Sequence, residues 1–217
     1  DGSITSTVQA NTTAGFSIVE WTGDGGQSTV GHGLSSTPEI VIQKNLDSTS
    51  DWWFYTTAID GSYDYLKLNS TVAKSDYSAT APTSTVFTSH GWGTTSMIAY
   101  CWHEIQGFSK FSSYIGNGSS DGTFVYLGFK PAFVMVKQTS ASGNNWWMID
   151  SKRDSFNPTD KGLRPSTNNA ESTGLTLDFL SNGFKLRLSG TGLNGSGSTY
   201  FYMAFAEHPF VGDGTSP

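Results

Sequence analysis

Two tryptophan pairs, two carboxylates at the ends of like segments, four histidines and one basic loop are where this chain could do chemistry. The pairs are Trp52-Trp53 and Trp146-Trp147. Neighbouring residues of a strand point to opposite faces, so one member of each pair enters a core and the other faces outward or lies under a loop. An outward indole is a platform for the apolar face of a sugar ring, with its N–H left for a polar partner. That reading selects Trp53 and Trp147, and adds Trp92 beside His90. Recurrence of the pair in both halves favours a packing role instead. Lys152, Arg153, Lys161 and Arg164 crowd a loop-rich stretch that suits an anionic sugar, or a solvated loop with local ion pairs. The candidate carbohydrate-binding residues are therefore Trp53, His90, Trp92, Trp147, Lys152, Arg153 and Arg164.

The same inventory argues against catalysis. Glu104 and Glu207 end equivalent segments, and glycoside hydrolysis needs two carboxyl groups roughly 5–10 Å apart. Duplicated carboxylates suit the capping of strand ends better. His103-Glu104 and Glu207-His208 are adjacent pairs, not the spacing that sets two metal ligands on one face. His32 lies between Gly31 and Gly33, as in a turn. Cys101 sits in the apolar run Ile98-Ala-Tyr-Cys-Trp102, where a small buried residue is expected rather than a nucleophile. Gly190–Gly197 lacks the lysine and helix of a phosphate loop and reads as a hairpin tip. We expect no catalytic residue, no metal and no cofactor.

The elements that must hold these residues come in two sets. Trp21-Thr-Gly-Asp-Gly25 recurs as Tyr114-Ile-Gly-Asn-Gly118, and Pro38-Glu-Ile-Val-Ile-Gln-Lys44 as Pro131-Ala-Phe-Val-Met-Val-Lys137, both at an offset of 93 residues. The Trp pairs follow, then Phe87-Thr-Ser-His-Gly91 against Phe179-Leu-Ser-Asn-Gly183, then Tyr100–Glu104 against Met203–Glu207 after an insertion. Matched landmarks in one order point to a duplication. Positions shared by both halves then belong to the scaffold, and a site belongs where the halves differ: His32, His90 with Trp92, and the basic loop.

Charged residues make up only 14% of the chain and aromatics another 14%, a composition able to bury a core. Alternating segments such as Phe16–Trp21 and the β-branched run Ile40–Ile42 read as strands; short helical turns are expected near 70–74 and 168–173. The expectation is an all-β, jelly-roll-like β-sandwich of two tandem pseudo-symmetric repeats. We place a connector at 1–15, repeats at 16–110 and 111–211, and a tail at 212–217, with 106–113 joining the repeats. A net charge of −6 argues against a nucleic-acid partner, and the apolar runs are too short for membrane insertion. Asp1 in place of a methionine suggests a cleavage product or a piece of something longer.

Ala14–Val19, Thr29–Leu34, Ala81–Phe87, Gly107–Phe111, Gly116–Ser119 with Asp121-Gly122, and Ala204–Phe210 together resemble a repeat found in large virion proteins of tailed phages, many of them marine or cyanobacterial. The resemblance spans nearly the whole chain. It implies a non-enzymatic module of a tail or head fibre on the virion surface. We expect such a module to assemble as a homotrimer or other symmetric oligomer, beside other virion proteins, and to present loops to host-surface glycans. A purely structural or capsid-decorating protein and a glycan depolymerase are the alternatives.

Overall fold

Strand after strand in this chain is short, antiparallel and closed by a glycine turn, as the alternating pattern and 25 glycines dictate. The computed structural model describes residues 2–209, and these contain no helix. The expected tail at 212–217 lies outside the described residues. The chain divides into two compact units, residues 1–68 with 75–105 and residues 69–74 with 106–217.

The first unit holds β1 (Ser6–Asn11), β2 (Phe16–Thr22), β3 (Thr29–Gly31), β4 (Ile40–Asn45), β5 (Trp53–Thr56), β6 (Asp64–Lys67), β7 (Ser75–Asp76), β8 (Val86–Thr88) and β9 (Ser96–Trp102). Seven of them form one sheet in the order β1-β2-β9-β4-β5-β6-β7, and β3 pairs with β8. Val30 and Phe87 of the small ladder bury against Val19, Trp21, Val41, Tyr55, Ala99 and Cys101 of the large sheet. The Trp21 and Phe87 rings meet edge to face at 5.4 Å, a contact contributing about 1 kcal/mol beyond area burial.

The second unit holds β10 (Ser109–Ile115), β11 (Phe124–Tyr126), β12 (Pro131–Gln138), β13 (Trp146–Asp150), β14 (Leu177–Leu180), β15 (Gly183–Leu186) and β16 (Thr199–Ala206). Its sheets are β10-β16-β12-β13 and β11-β15-β14. Val125, Leu177, Phe184 and Leu186 of the smaller sheet pack on Val134, Val136, Trp147, Ile149 and Tyr202 of the larger. Pro131 opens β12 next to a bulge, a place where its missing N–H costs no ladder bond. Both units are thus antiparallel β-sandwiches, and the path β2-β9-β4-β5 of the first has the same order as β10-β16-β12-β13 of the second.

Several expectations differ from what the chain does. Ser6–Asn11, read as connector, is the edge strand β1, paired with β2 from Ser6↔Trp21 to Asn11↔Phe16. Its residues are nearly all exposed, so backbone hydrogen bonds alone define it and no apolar alternation marks it. Residues 109–113, read as part of a linker, lie in β10; the serines among Lys110, Phe111 and Tyr114 blur the period-two pattern. The turns near 70–74 and 168–173 are not helical. Phe179 does not occupy Phe87's place, because β8 pairs with β3 whereas β15, not β14, pairs with β11. The added strand β14 shifts the alignment there. Residues 190–197 are not a hairpin tip but part of the crossover from β15 to β16, which lie in different sheets. There buried Asn194 donates through Nδ2 to Asn117 Oδ1, Ser119 O and Leu188 O at 2.8–2.9 Å.

Candidate functional site

The site builds from two neighbouring strands of the first unit. Trp53 and Tyr55 sit two apart on β5, so both point to the face that carries the small ladder. In the antiparallel register Lys67 of β6 lies opposite Trp53, and Tyr65 opposite Tyr55. Directly opposed side chains on one face are in contact range. Lys67 accordingly places its Nζ 4.7 Å from the centre of the Trp53 ring, while also pairing with Asp51 at 2.7 Å. A cation over an indole contributes about 0.5–1 kcal/mol where water still reaches it. Tyr77 follows β7 and is held over Tyr63 by a Tyr77 N–H to Tyr63 O bond of 2.7 Å.

The loop after β8 then crosses this face. His90 N–H donates to Gln43 Oε1 at 2.9 Å, and Gln43 Nε2 donates to Thr88 O at 2.9 Å, so one buried amide holds both ends of the segment. Ser89 N–H donates to Ser28 O at 2.8 Å. Farther on, a Cβ on Gly23 would stand 2.4 Å from Gly93 O, so the two glycine turns lie directly against each other. Gly93 itself has φ of +86°, a conformation glycine adopts without strain. The loop is therefore pinned on both sides of Trp92.

What results is an aromatic cluster centred on an imidazole. The His90 ring centre is 4.3 Å from Trp53 and 4.2 Å from Trp92, and it stacks at 10° on Tyr77 at 6.1 Å. Tyr65 lies 5.0 Å from Trp53, and Tyr55 4.8 Å from Tyr77. Trp53, Tyr65, Tyr77, His90 and Trp92 are partly exposed, whereas Tyr55 is buried beneath them. The Tyr55 hydroxyl meets His90 Nδ1. Burial, and after it the charge of Lys67, pushes His90 down to about 4, so the ring is neutral at ordinary pH. Burial also drives the Tyr55 phenol far above its usual range, so it keeps its proton, and its hydroxyl hydrogen-bonds Tyr77 as well as His90 Nδ1. Gln27 Nε2 donates to the Tyr77 hydroxyl at 2.9 Å, and Gln27 also lines a shallow groove of about 290 Å³ with Thr29, Thr80, Thr83 and Thr88.

Three of the residues selected from sequence, Trp53, His90 and Trp92, thus converge in one place. The others do not. Trp147 is only 7% exposed, faces the core, and is covered by the Arg164 guanidinium 4.3 Å above its ring. Its neighbour Trp146 points the other way and is also buried, edge-on to Phe201 at 6.3 Å. The second pair presents no indole platform, since both faces of β13 are covered. Arg153 is bound by Asp150 at 3.2 Å and Glu171 at 2.6 Å, and only Lys152 of the three stands out in solvent. The basic loop holds Arg153 in ion pairs and Arg164 over an indole rather than forming a convergent patch.

The remaining titratable groups have structural partners. His32 is fully buried, with Nδ1 accepting from Leu34 N–H at 3.1 Å and Nε2 bonded to Thr83 O at 3.1 Å. Burial lowers its pKa and keeps it neutral. Glu207 pairs with Lys130 at 2.7 Å, which holds the carboxyl below its usual range. Cys101 is fully buried, and burial pushes its thiol up to about 12. Among the described residues no three His, Cys, Asp or Glu side chains group as metal ligands.

Sequence reasoning missed Tyr55, Tyr65, Tyr77, Lys67 and Gln43. One signal was available: four of the nine tyrosines fall between 55 and 77, and the matching stretch of the second half has none. Gln43 likewise stands where the second half has Val136.

Fold and site together define a class, an all-β tandem-sandwich protein with a partly exposed aromatic cluster on its first unit. The chain belongs to the family described as a domain of unknown function, DUF7483, which matches it over residues 1–209. No curated protein and no solved structure matches the chain.

Proposed function

We propose that this chain is a non-enzymatic module of a phage virion fibre that recognises host-surface glycans through the first unit's aromatic cluster. The observation that carries the reading is the convergence of His90 and Trp92, which distinguish the first half, with Trp53 on one partly exposed aromatic surface. Small-molecule sites pair aromatic lining with a few fixed polar groups, here the His90 imidazole, Lys67 and Asp51. The resemblance of the whole chain to repeats of phage virion proteins supports the location, and a rigid sandwich suits a fibre.

Weak single sites become effective in a symmetric assembly, because each further contact is made at high local concentration. The module therefore acts as a homotrimer or similar oligomer among other virion proteins. Glycan-array binding combined with mass measurement in solution tests the reading. Retention of bacterial envelope glycans by an oligomer, with the sugar chains left intact, is the expected result. A monomer that retains none of them, or one that shortens them, contradicts it.

A further inference from the structure

We infer that the aromatic cluster is built for a neutral pyranose and discriminates against acidic sugars. This inference rests on the glycan-binding reading and narrows it. The cluster's one cation is already matched: Lys67 Nζ lies 2.7 Å from Asp51 and stacks over Trp53. A sugar carboxylate brought to that ammonium would lie beside the Asp51 carboxylate and be repelled by it. The hydroxyls of a neutral sugar instead complement the pair as it stands, accepting from Lys67 and donating to Asp51. The neutral His90 imidazole, held by Tyr55 at Nδ1, adds an uncharged polar group for a sugar hydroxyl, and Trp92 offers the apolar face.

Long-range charge points the same way. The first unit, residues 1–68 and 75–105, contains ten Asp and Glu against only Lys44 and Lys67. Its negative field repels anions before they reach the cluster. A bare organic cation would meet that field favourably, but the place it would take between the rings is filled by His90, 4.2–4.3 Å from both indoles.

Saturation-transfer NMR on the full chain tests this with methyl hexopyranosides, the corresponding methyl hexuronides and tetramethylammonium. Transfer to at least one neutral member is expected, with its acid partner bound at least about tenfold more weakly. Asp51→Asn should narrow that ratio by weakening the neutral sugar and admitting the acid, with melting unchanged. Trp92→Ala should abolish both signals. Equal or tighter binding of the hexuronide, or tighter binding of the ammonium, overturns the inference and leaves glycan recognition standing. An absence of transfer to every sugar overturns both.

Discussion

At the scale of residues, the cluster depends on side chains with separable jobs. Trp92 is partly exposed and caps the site, so Trp92→Ala should lose glycan binding at least about tenfold and lower unfolding stability modestly, its ring contacts contributing about 0.5–1.5 kcal/mol. Gln43 holds the backbone on both sides of Ser89. Gln43→Val, which installs the residue found at the matching place in the second half, strips two groups of their partner. We expect a loss of about 1–3 kcal/mol in denaturant unfolding together with weakened binding. His90 gives a pH dependence of definite sign. Its folded value of about 4 lies below the ordinary 6.5, so the unfolded chain takes up the proton first. Stability should hold above about pH 6.5 and fall as pH drops towards 4, with His32 contributing in the same direction. Melting curves across that range should show the decline, and a shallower one in His90→Gln. Glycan affinity should stay flat from about pH 6 to 8, where the imidazole remains neutral.

At the scale of elements, the strands that alternate were legible in the sequence and those that do not were lost. Residues 16–22 and 40–45 carry buried residues in recognisable patterns, whereas β1 is exposed on both faces and exists through its ladder with β2. The site was half legible for a related reason. His90 and Trp92 are local neighbours that differ between the halves, but Lys67 and Tyr65 join them only through a cross-strand register that no local pattern encodes. Trp147 shows the reverse error. Its pairing with Trp146 implied one inward and one outward ring, and the two do face opposite ways, yet both are buried: Trp147 lies in the core under Arg164, and Trp146 is packed edge-on to Phe201. Turn packing provides a test at this scale. A methyl group on Gly23 would collide with Gly93 O at 2.4 Å. Gly23→Ala should therefore displace the loop that bears Trp92 and weaken binding, although it lies outside the cluster. In contrast, Cys101 in the middle of β9 should resist thiol reagents until the unit unfolds.

At the scale of the whole molecule, two sandwiches share a strand order, and the first carries the cluster built around His90. The first unit is strongly acidic, and the second balances its charges in pairs such as Lys130–Glu207 and Arg153–Glu171. A fibre that repeats such a chain by symmetry multiplies the first unit's site, and its avidity should collapse when the assembly is dissociated to single chains. The central claim, that glycans bind at the first unit's cluster, is tested most directly by fluorine NMR of the chain labelled with fluorotryptophan. Seven tryptophans give seven resonances, and Trp21, Trp146 and Trp147 are buried internal controls. Titration with a bound glycan should shift Trp53 and Trp92 and leave those three in place. Shifts confined to other tryptophans, or none at saturating glycan, would contradict it.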